Sequence, residues 1–339
     1  MELFMRLKPL ISVFALSLML TGCSKVQNAF MDEQVKDRTD YSLITDQEHV
    51  RVILCGTGTP QVNSPRGQAC TLVAAGGTLF LFDAGENAMR NLERNQVPVS
   101  AITKVFITHL HSDHISGLGG VINHSWVNGR QGPLTVYGPL GVSGLVKGLA
   151  MAYADDTRFR SMHFVPHPEL AFAQAQTFFF NRGVESVRVY EQNGVTIDAY
   201  RVDHRPVDPA VGYLLSYGGK KVFISGDTRV SDLYLGALQD ADLVVHEAIN
   251  SGLIHQAADA MRRQGHAVEA QRALRVLDYH ADTLELARLA ERAKVKHLVL
   301  THLIPSPPNF IARYLFSKGM ADHYRGIITI GEDAMDIRI

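Results

Sequence analysis

The stretch KVFITHLHSDHISGLGG, residues 104–120, decides both the fold and the chemistry that this sequence predicts. Its apolar beginning is typical of a strand buried on both faces, and four potential metal ligands follow within six positions: His109, His111, Asp113 and His114. His109 and His111 are two residues apart on extended chain, so both side chains point the same way. The other two follow in a turn that reverses the backbone. Because successive residues point apart, one ion cannot easily use all four side chains, whereas two adjacent ions can.

Three further side chains of ligand type stand at the ends of other predicted strands. His204 ends IDAYRVDH, Asp227 ends KVFISGD and His302 ends KHLVLTH. Strand ends at one edge of a sandwich are where loops gather a site, so these residues are expected to join the histidine motif. Imidazoles and carboxylates without a thiolate suit Zn²⁺, Mn²⁺ or Fe. A carboxylate such as Asp227 has two oxygens and can bridge two ions.

The rest of the chain predicts two packed sheets. Strand-rich stretches lie in both halves, each with helices appended; a hairpin is expected to turn at Gly218 and Gly219, and DTLELARLAERA is an amphipathic helix. This order suits an α/β protein with two mixed sheets flanked by helices, an αββα sandwich, over residues 48–339. The composition is that of an ordinary globular protein, with 46% hydrophobic residues, 20% charged residues and a net charge of −1. It lacks the basic excess that is usual for a nucleic-acid-binding protein.

Residues 1–22 have the pattern of a secretory signal: two basic residues precede an apolar run that is too short to span a bilayer. The stretch LTGC, residues 20–23, resembles the lipobox of bacterial lipoproteins, which implies cleavage before Cys23 and lipid attachment to its thiol. Ser24, rather than Asp, implies the outer membrane, facing the periplasm. Residues 23–47 are polar and predict a flexible tether, so the expected membrane contact is the lipid on Cys23.

Two further cysteines, Cys55 and Cys70, lie in apolar strand-like runs. An oxidising compartment permits a disulfide between them, but two buried thiols are the favoured interpretation. Neither cysteine has the spacing of a zinc finger.

The motif THLHSDH resembles the signature of the metallo-β-lactamase superfamily, and His204, Asp227 and His302 match its later ligand positions. The resemblance extends from about residue 50 to the end of the chain and implies the metallo-β-lactamase fold. Within the superfamily the ribonuclease Z/arylsulfatase branch is the more similar. LCGTGTPQVNSPRGQACTLV resembles its first strand and Gly-rich loop, VVHEA its His-Glu-Ala-Thr box, and YHADT its His-Ser-Thr loop, with His280 in place.

The resemblance also implies how the ligands divide. One ion would take His109, His111 and His204, the other would take Asp113, His114 and His302, and Asp227 would bridge them. Two Zn²⁺ ions are the expected cofactors, and that branch also tolerates Mn²⁺ or Fe.

Two such ions support hydrolysis without a nucleophilic side chain, because coordination lowers the pKa of bound water to about 7. The leaving oxygen then needs a proton. His246, with Glu247 as its orienter, is the predicted general acid, and His280 is the second candidate, for binding the ester oxygens. Asp113 is expected to help to position the hydroxide. A purely structural role is the alternative for both histidines.

The predicted function is hydrolysis of a small anionic phosphodiester or sulfate ester, and relatives of this type suggest a homodimer. One alternative is ribonuclease Z-like processing of tRNA 3′ ends. Others are a lactonase or thioesterase, and a metal-binding lipoprotein without turnover. Nucleic acid is not an expected partner, because residues 149–200, where the nucleases carry their tRNA-binding arm, contain four Arg, no Lys and six acidic residues, a net charge of −2. An exported enzyme would also not meet precursor tRNA.

Overall fold

In a computed structural model of the chain, the described residues are 26–33, 36, 38–61, 64–163 and 167–339. The predicted signal peptide, residues 1–22, and the predicted lipidation site Cys23 lie outside them. The chain divides into two compact units, Met1–Thr39 and Asp40–Ile339. In the first unit residues 26–33 are helical. Within the described ranges, no helix combines the length and the apolar character that crossing a membrane requires.

The second unit is built on two sheets of seven strands each. The first sheet has the spatial order β14 (Asp336–Arg338), β1 (Arg51–Gly56), β2 (Cys70–Ala75), β3 (Thr78–Phe82), β4 (Ile102–Phe106), β5 (Leu134–Gly138) and β6 (Ala173–Thr177). The second has the order β13 (Ile327–Ile330), β12 (His297–Ile304), β11 (Leu243–Ile249), β10 (Lys220–Ile224), β9 (Val211–Tyr217), β8 (Val195–Arg201) and β7 (Ser186–Gln192). Both sheets are mixed, because β3 to β6 and β10 to β13 pair in parallel while the remaining neighbours are antiparallel.

Helices connect the strands and cover the outer faces of the sheets. Their bounds are α1 (Ser42–Thr45), α2 (Ala88–Arg94), α3 (Ser112–Ile115), α4 (Leu118–Val127), α5 (Val142–Ala152), α6 (Ala154–Ser161), α7 (Leu235–Leu238), α8 (Ser251–Arg263), α9 (Ala267–Arg275), α10 (Thr283–Arg292) and α11 (Phe310–Ser317). The predicted amphipathic helix corresponds to α10, and the predicted hairpin at Gly218 and Gly219 joins β9 to β10.

Strand alternation divides the core into three layers. In β3, Leu79 packs under the helices outside the first sheet, whereas Phe80 and Phe82 point into the space between the sheets. In β11, Val245 enters the same space, and Val244 packs under the helices outside the second sheet. Each side chain of this size contributes about 1.5–3 kcal/mol when it leaves water. The αββα sandwich of the metallo-β-lactamase fold is thereby confirmed.

The compact unit begins at Asp40 and therefore includes residues 40–47, which the sequence analysis placed in the tether. Leu43 of α1 is buried in the core of the first sheet, and the Asp40 N–H donates to the Gln96 carbonyl. A single buried leucine in a polar stretch leaves no periodic signal in the sequence, which is why the pattern did not reveal this segment.

Cys55 and Cys70 form a disulfide between β1 and β2, so the favoured interpretation of two free thiols is wrong. The two strands are antiparallel, and an irregularity after Leu54 shifts their register so that Gly56 pairs with Cys70. The Cα atoms of the two cysteines lie 4.9 Å apart. This proximity depends on the register of the pair, which the spacing of the cysteines alone does not specify.

Candidate metal centre

Strands of both sheets bring the predicted ligands to one place. His109 follows β4 of the first sheet, while His204 follows β8, Asp227 follows β10 and His302 lies within β12 of the second sheet. All the predicted ligands are buried except His111, which is exposed at the rim. Buried polar side chains in such number require partners for their lone pairs.

The first group of ligand atoms comes from His109, His111, His204 and Asp227, all within 4.8 Å of one another. The His111 Nδ1 atom lies 3.0 Å from His109 Nε2 and 3.3 Å from His204 Nε2. The Asp227 Oδ2 atom is 4.0 Å from His109 Nε2 and 3.8 Å from His204 Nε2. The three histidines are those that the sequence assigned to one ion.

The second group comes from Asp113, His114 and His302. The His302 Nε2 atom lies 3.1 Å from Asp113 Oδ2 and 3.5 Å from Asp227 Oδ2. The His114 Nε2 atom lies 3.3 Å from the other oxygen of Asp227, Oδ1. Asp227 thus stands between the two groups: its Oδ2 atom faces histidines of both groups, and its Oδ1 atom faces His114.

Local sequence explains how the motif folds. The residues after His111 form the single-turn helix α3, and the Ala84 N–H donates to the carbonyl of His114. Gly85 lies so close to this turn that a Cβ atom there would be 2.2 Å from the Asp113 carbonyl oxygen. A glycine in FDAGE is therefore required for the HSDH turn to pack against the end of β3.

Neighbouring groups fix the direction of the rings. The His114 Nδ1 atom donates to Asp83 Oδ2 at 2.7 Å, and Asp83 also accepts from the backbone and hydroxyl of Thr108. The His204 Nδ1 atom donates to the Tyr279 carbonyl at 3.0 Å. Because Nδ1 is the protonated nitrogen in the neutral form of both rings, that form directs the Nε2 lone pair towards the cluster, as in histidines that bind metals.

Burial and neighbouring charges shift the pKa values of the clustered histidines and of Asp227. Burial lowers the pKa of His204 and holds the pKa of His109 well below the ordinary value, which keeps these rings neutral. Burial would raise the pKa of Asp227, but His302 and His114 outweigh it and hold that pKa well below its usual range. For His114, burial is outweighed by Asp227 and Asp83, which raise its pKa well above the ordinary value. A cation beside Asp227 would compete with a proton on His114.

The donor set fits a metal. The His114 Nε2 and Asp227 Oδ1 atoms are buried, and among the described residues neither has a hydrogen-bond partner. An unmet buried polar group costs about 1–3 kcal/mol. Imidazole nitrogens that point their lone pairs at one another cannot form hydrogen bonds with each other. A metal cation between them can be coordinated by all of these lone pairs. The His/Asp clusters therefore indicate metal ions.

A cavity of about 210 Å³ opens beside the cluster. Its polar side is formed by His111, Asp113, Asp227, His280 and His302. The remaining lining residues are Thr59, Pro60, Gln61, Ile254, Ala273, Val276, Tyr279 and Ile304. A ligand in this cavity would contact potential metal ligands on one side and a largely apolar wall on the other.

His280 and Glu247 form a pair at this cavity. The His280 Nδ1 atom lies 2.8 Å from Glu247 Oε1, which also accepts from the Thr228 N–H at 2.9 Å. Burial acts to lower the pKa of His280, but the charge of Glu247 outweighs it and raises the pKa to about 9. The carboxylate thus favours the imidazolium form and holds the ring by one nitrogen.

The ring of His246, the predicted general acid, lies away from the cavity. Its ring is fully buried, with Nδ1 2.7 Å from the Glu247 carbonyl oxygen and Nε2 3.1 Å from the Tyr234 hydroxyl, and it is absent from the described lining of the cavity. Neighbouring residues of a strand point to opposite faces, so in β11 the side chain of Glu247 faces the cluster. Applying this alternation to VVHEA would have placed the side chain of Glu247, and not that of His246, on the side of the cluster. The predicted ligands and His280 do come together.

The fold and the site define a metallo-β-lactamase-fold hydrolase. Residues 50–302 match the family model of the Anti-Pycsar protein Apyc1. The chain belongs to that family, among the ribonuclease Z-like members of the fold. Among the similar curated proteins, ribonuclease Z of Mycobacterium bovis (strain BCG / Pasteur 1173P2) is 32% identical over 261 residues, 76% of this chain and 87% of the relative. Ribonuclease Z of Mycobacterium sp. (strain KMS) is 34% identical over 259 residues, 76% and 85% of the two chains.

Solved structures of other proteins have the same fold. The short form of human tRNase Z superposes with a TM-score of 0.58 and 26% identity, covering 85% of this chain and 98% of the other. Zn²⁺-bound PqqB from Methylobacterium extorquens has a TM-score of 0.54 and 16% identity, with 85% and 99% coverage, and so shares the fold.

Proposed function

We propose that this chain is a dinuclear metal-dependent phosphodiesterase. The observation that carries the proposal is Asp227, whose carboxylate lies within 4.0 Å of histidine nitrogens in both groups of ligand atoms. One ion would be held by His109, His111 and His204, the other by Asp113, His114 and His302, with Asp227 shared. The histidine-rich donor set suits Zn²⁺ first, with Mn²⁺ or Fe as alternatives.

When bound, two such ions supply Lewis acidity and lower the pKa of water to about 7. Side chains of the protein would position the water and donate the proton. Asp113 lies at the cavity wall, where it can position the attacking water. His280 is held at Nδ1 by Glu247 and presents its other nitrogen on the cavity side, where it can protonate the leaving oxygen. This proton donation is the role that the sequence analysis gave to His246.

The phosphodiester bond is favoured over the sulfate ester by the relatives, which are named for ribonuclease Z. The arylsulfatase part of the sequence prediction is unsupported by these comparisons.

Processing of tRNA 3′ ends is the second candidate function, and identities of 32–34% to ribonuclease Z favour it. The surface of residues 149–200 favours small substrates instead. There Arg158 pairs with Asp155, Arg160 with Asp156, and Arg188 with Asp198. Arginines that are paired with neighbouring carboxylates offer less charge to phosphates.

We further propose that the protein is exported and lipid-anchored through Cys23, facing the periplasm. The Cys55–Cys70 disulfide supports this proposal, because disulfides persist in oxidising compartments. A Cys23→Ser variant is expected to leave the membrane fraction. Retention of that variant in the membrane fraction would contradict the proposed anchor. A homodimer remains a prediction.

The decisive experiment uses the purified full-length chain with metal content measured per chain. Bis(p-nitrophenyl) phosphate, p-nitrophenyl phosphate, p-nitrophenyl sulfate, a lactone and precursor tRNA are assayed in parallel. Two ions per chain and turnover of the diester are expected. Turnover of the lactone alone would overturn the proposal, and cleavage of precursor tRNA at physiological salt would favour the second candidate. A metal-loaded chain that is inert on every substrate would be a metal-binding protein.

A further inference from the structure

The cavity has one wall that comes from a loop far from the metal ligands in sequence. Residues 57–67 belong to the connection between β1 and β2, and Thr59, Pro60 and Gln61 from this loop line the cavity. The position of these three residues therefore shapes the space that a substrate would occupy.

Both ends of this loop are bound by one carboxylate near the C-terminus. Asp333 lies between β13 and β14, and its Oδ1 atom accepts from the Thr57 N–H at 3.0 Å and from the Thr57 hydroxyl at 2.8 Å. Its Oδ2 atom accepts from the Gly67 N–H at 2.6 Å and from the Asn91 side-chain amide at 2.9 Å. Four hydrogen bonds satisfy the carboxylate, and charge-assisted bonds of this kind are roughly twice as strong as neutral ones.

The surroundings of Asp333 leave little freedom for this arrangement. A Cβ atom at Gly67 would lie 2.8 Å from Asn91 Nδ2 and 3.3 Å from Asp333 Oδ2, so a larger residue would displace these two side chains. The Arg66 guanidinium donates to the Thr57 hydroxyl and to the Gly331 carbonyl, both at 2.6 Å. The C-terminal segment and the loop are thereby locked together at several points.

Thr57, at one end of the loop, is also bonded to β12, the strand that carries His302. The Thr57 carbonyl accepts from the Leu303 N–H at 3.3 Å, directly after that ligand. Pairing of β12 with β11 on both sides of His302, at Thr301 and at Leu303, holds this strand by contacts that Asp333 does not make. Loss of the Asp333 contacts is therefore expected to disturb the cavity wall more than the metal ligands.

We propose that Asp333 is a positioning residue for the substrate cavity: by holding both ends of the loop at residues 57–67, it fixes the wall against which the ester binds. The inference rests on the proposed phosphodiesterase function for its effect on substrate. The hydrogen bonds of Asp333 come from Thr57, Gly67 and Asn91, none of which lines the cavity, so it acts on the wall through Thr57 and Gly67.

The test compares three variants of the full-length chain. Asp333→Asn replaces one oxygen by an N–H₂ group, which cannot accept from Thr57 or Gly67. Thr57→Val removes one of the four bonds to Asp333, together with the bond from Arg66 to the same hydroxyl, and serves as a milder variant in case Asp333→Asn does not fold. Asp336→Asn is the control, because this carboxylate lies in the same terminal segment but pairs with Arg51 at the sheet edge.

For Asp333→Asn we expect KM for bis(p-nitrophenyl) phosphate to rise roughly ten-fold while kcat changes by less than about two-fold, the pattern of lost uniform binding. Metal per chain should stay unchanged, and hydrogen exchange should accelerate in peptides covering residues 56–69 only. Thr57→Val should show the same changes to a smaller extent, and Asp336→Asn none. An unchanged KM in Asp333→Asn, or faster exchange spread over the whole unit, would overturn the inference. If the wild-type chain does not hydrolyse the diester, the proposed function fails, and unchanged exchange at 56–69 would then separately overturn the role of Asp333.

Discussion

At the residue scale, the imidazole of His280 is bound at one nitrogen by Glu247 and borders the cavity. We predict that His280→Ala lowers kcat for the diester by about 10²–10⁴-fold, the usual contribution of a positioned proton donor, and leaves metal per chain unchanged. The measurement is steady-state kinetics together with metal analysis.

His246→Gln is the matched control for that variant. Its side chain can still bond to the Glu247 carbonyl and the Tyr234 hydroxyl, so kcat should stay near the wild-type value, although the buried position makes some loss of stability expected. A loss of turnover in His246→Gln at full metal content would return the role of proton donor to His246.

The carboxylate of Asp227 is the only described side chain that lies in both groups of ligand atoms around His109 and around His302. We predict that Asp227→Asn reduces bound metal from two ions per chain to fewer than one, because the amide loses the charge and one acceptor oxygen. Metal per chain after dialysis checks this. Asp203→Asn is the control, since that carboxylate pairs with Arg205 and Arg229, and it should retain both ions.

The sequence predicted which side chains cluster between the sheets because they are chemically distinctive and stand at or near the ends of strands. It did not place His246 and Glu247, because both are plausible acid–base residues at adjacent positions. The choice between them depends on which face of β11 meets the cavity, and that face is set by pairing with β10 and β12.

At the scale of elements, Asp282 joins the starts of two helices. Its Oδ1 atom accepts from the Leu284 N–H at 2.9 Å and the Glu285 N–H at 3.2 Å, capping α10. Its Oδ2 atom accepts from the Ser251 hydroxyl at 2.6 Å, at the start of α8. We predict that Asp282→Ala lowers the free energy of unfolding by about 1–2 kcal/mol, measured by urea denaturation. Glu285→Gln, at an exposed position of the same turn, should change it by less than about 0.5 kcal/mol.

The disulfide between β1 and β2 closes a loop whose cysteines are 15 residues apart. We predict that Cys55→Ala combined with Cys70→Ala lowers the free energy of unfolding by about 3 kcal/mol. The main reason is that the unfolded chain gains conformational entropy when the cross-link is removed. Adding a reductant should destabilise the wild-type chain similarly and leave the double variant unchanged. Equal unfolding midpoints for the oxidised wild type and the double variant would contradict this.

The sequence predicted helices and strands whose apolar residues recur at a regular spacing, and it did not predict segments that lack such a spacing. The helix α10 and the hairpin between β9 and β10 have strong local patterns of burial and turn residues. The short α1, which packs a single leucine, and the shifted register that brings Cys55 to Cys70 depend on contacts between distant segments. Such contacts cannot be predicted from the local sequence pattern.

At the scale of the whole molecule, the candidate metal centre joins the two sheets of the sandwich. His109, His111, Asp113 and His114 follow the first sheet, and His204, Asp227 and His302 belong to the second. Ions bound there would add to the inter-sheet core around Phe106 and Tyr213 as a second connection between the layers. Stability of the sandwich should therefore depend on metal.

Removal of metal by a chelator is predicted to lower the melting temperature of the wild-type chain by several degrees. A ligand that binds only the folded state stabilises it by about 2.7 kcal/mol when its free concentration is 100 times Kd. Differential scanning calorimetry with and without EDTA, followed by restoration with Zn²⁺, measures the effect. Asp227→Asn should be insensitive to EDTA, because it already lacks the ions. Equal melting temperatures of the wild type in EDTA and in Zn²⁺ would mean that the two sheets are held by their apolar core alone and that the centre contributes nothing to their association.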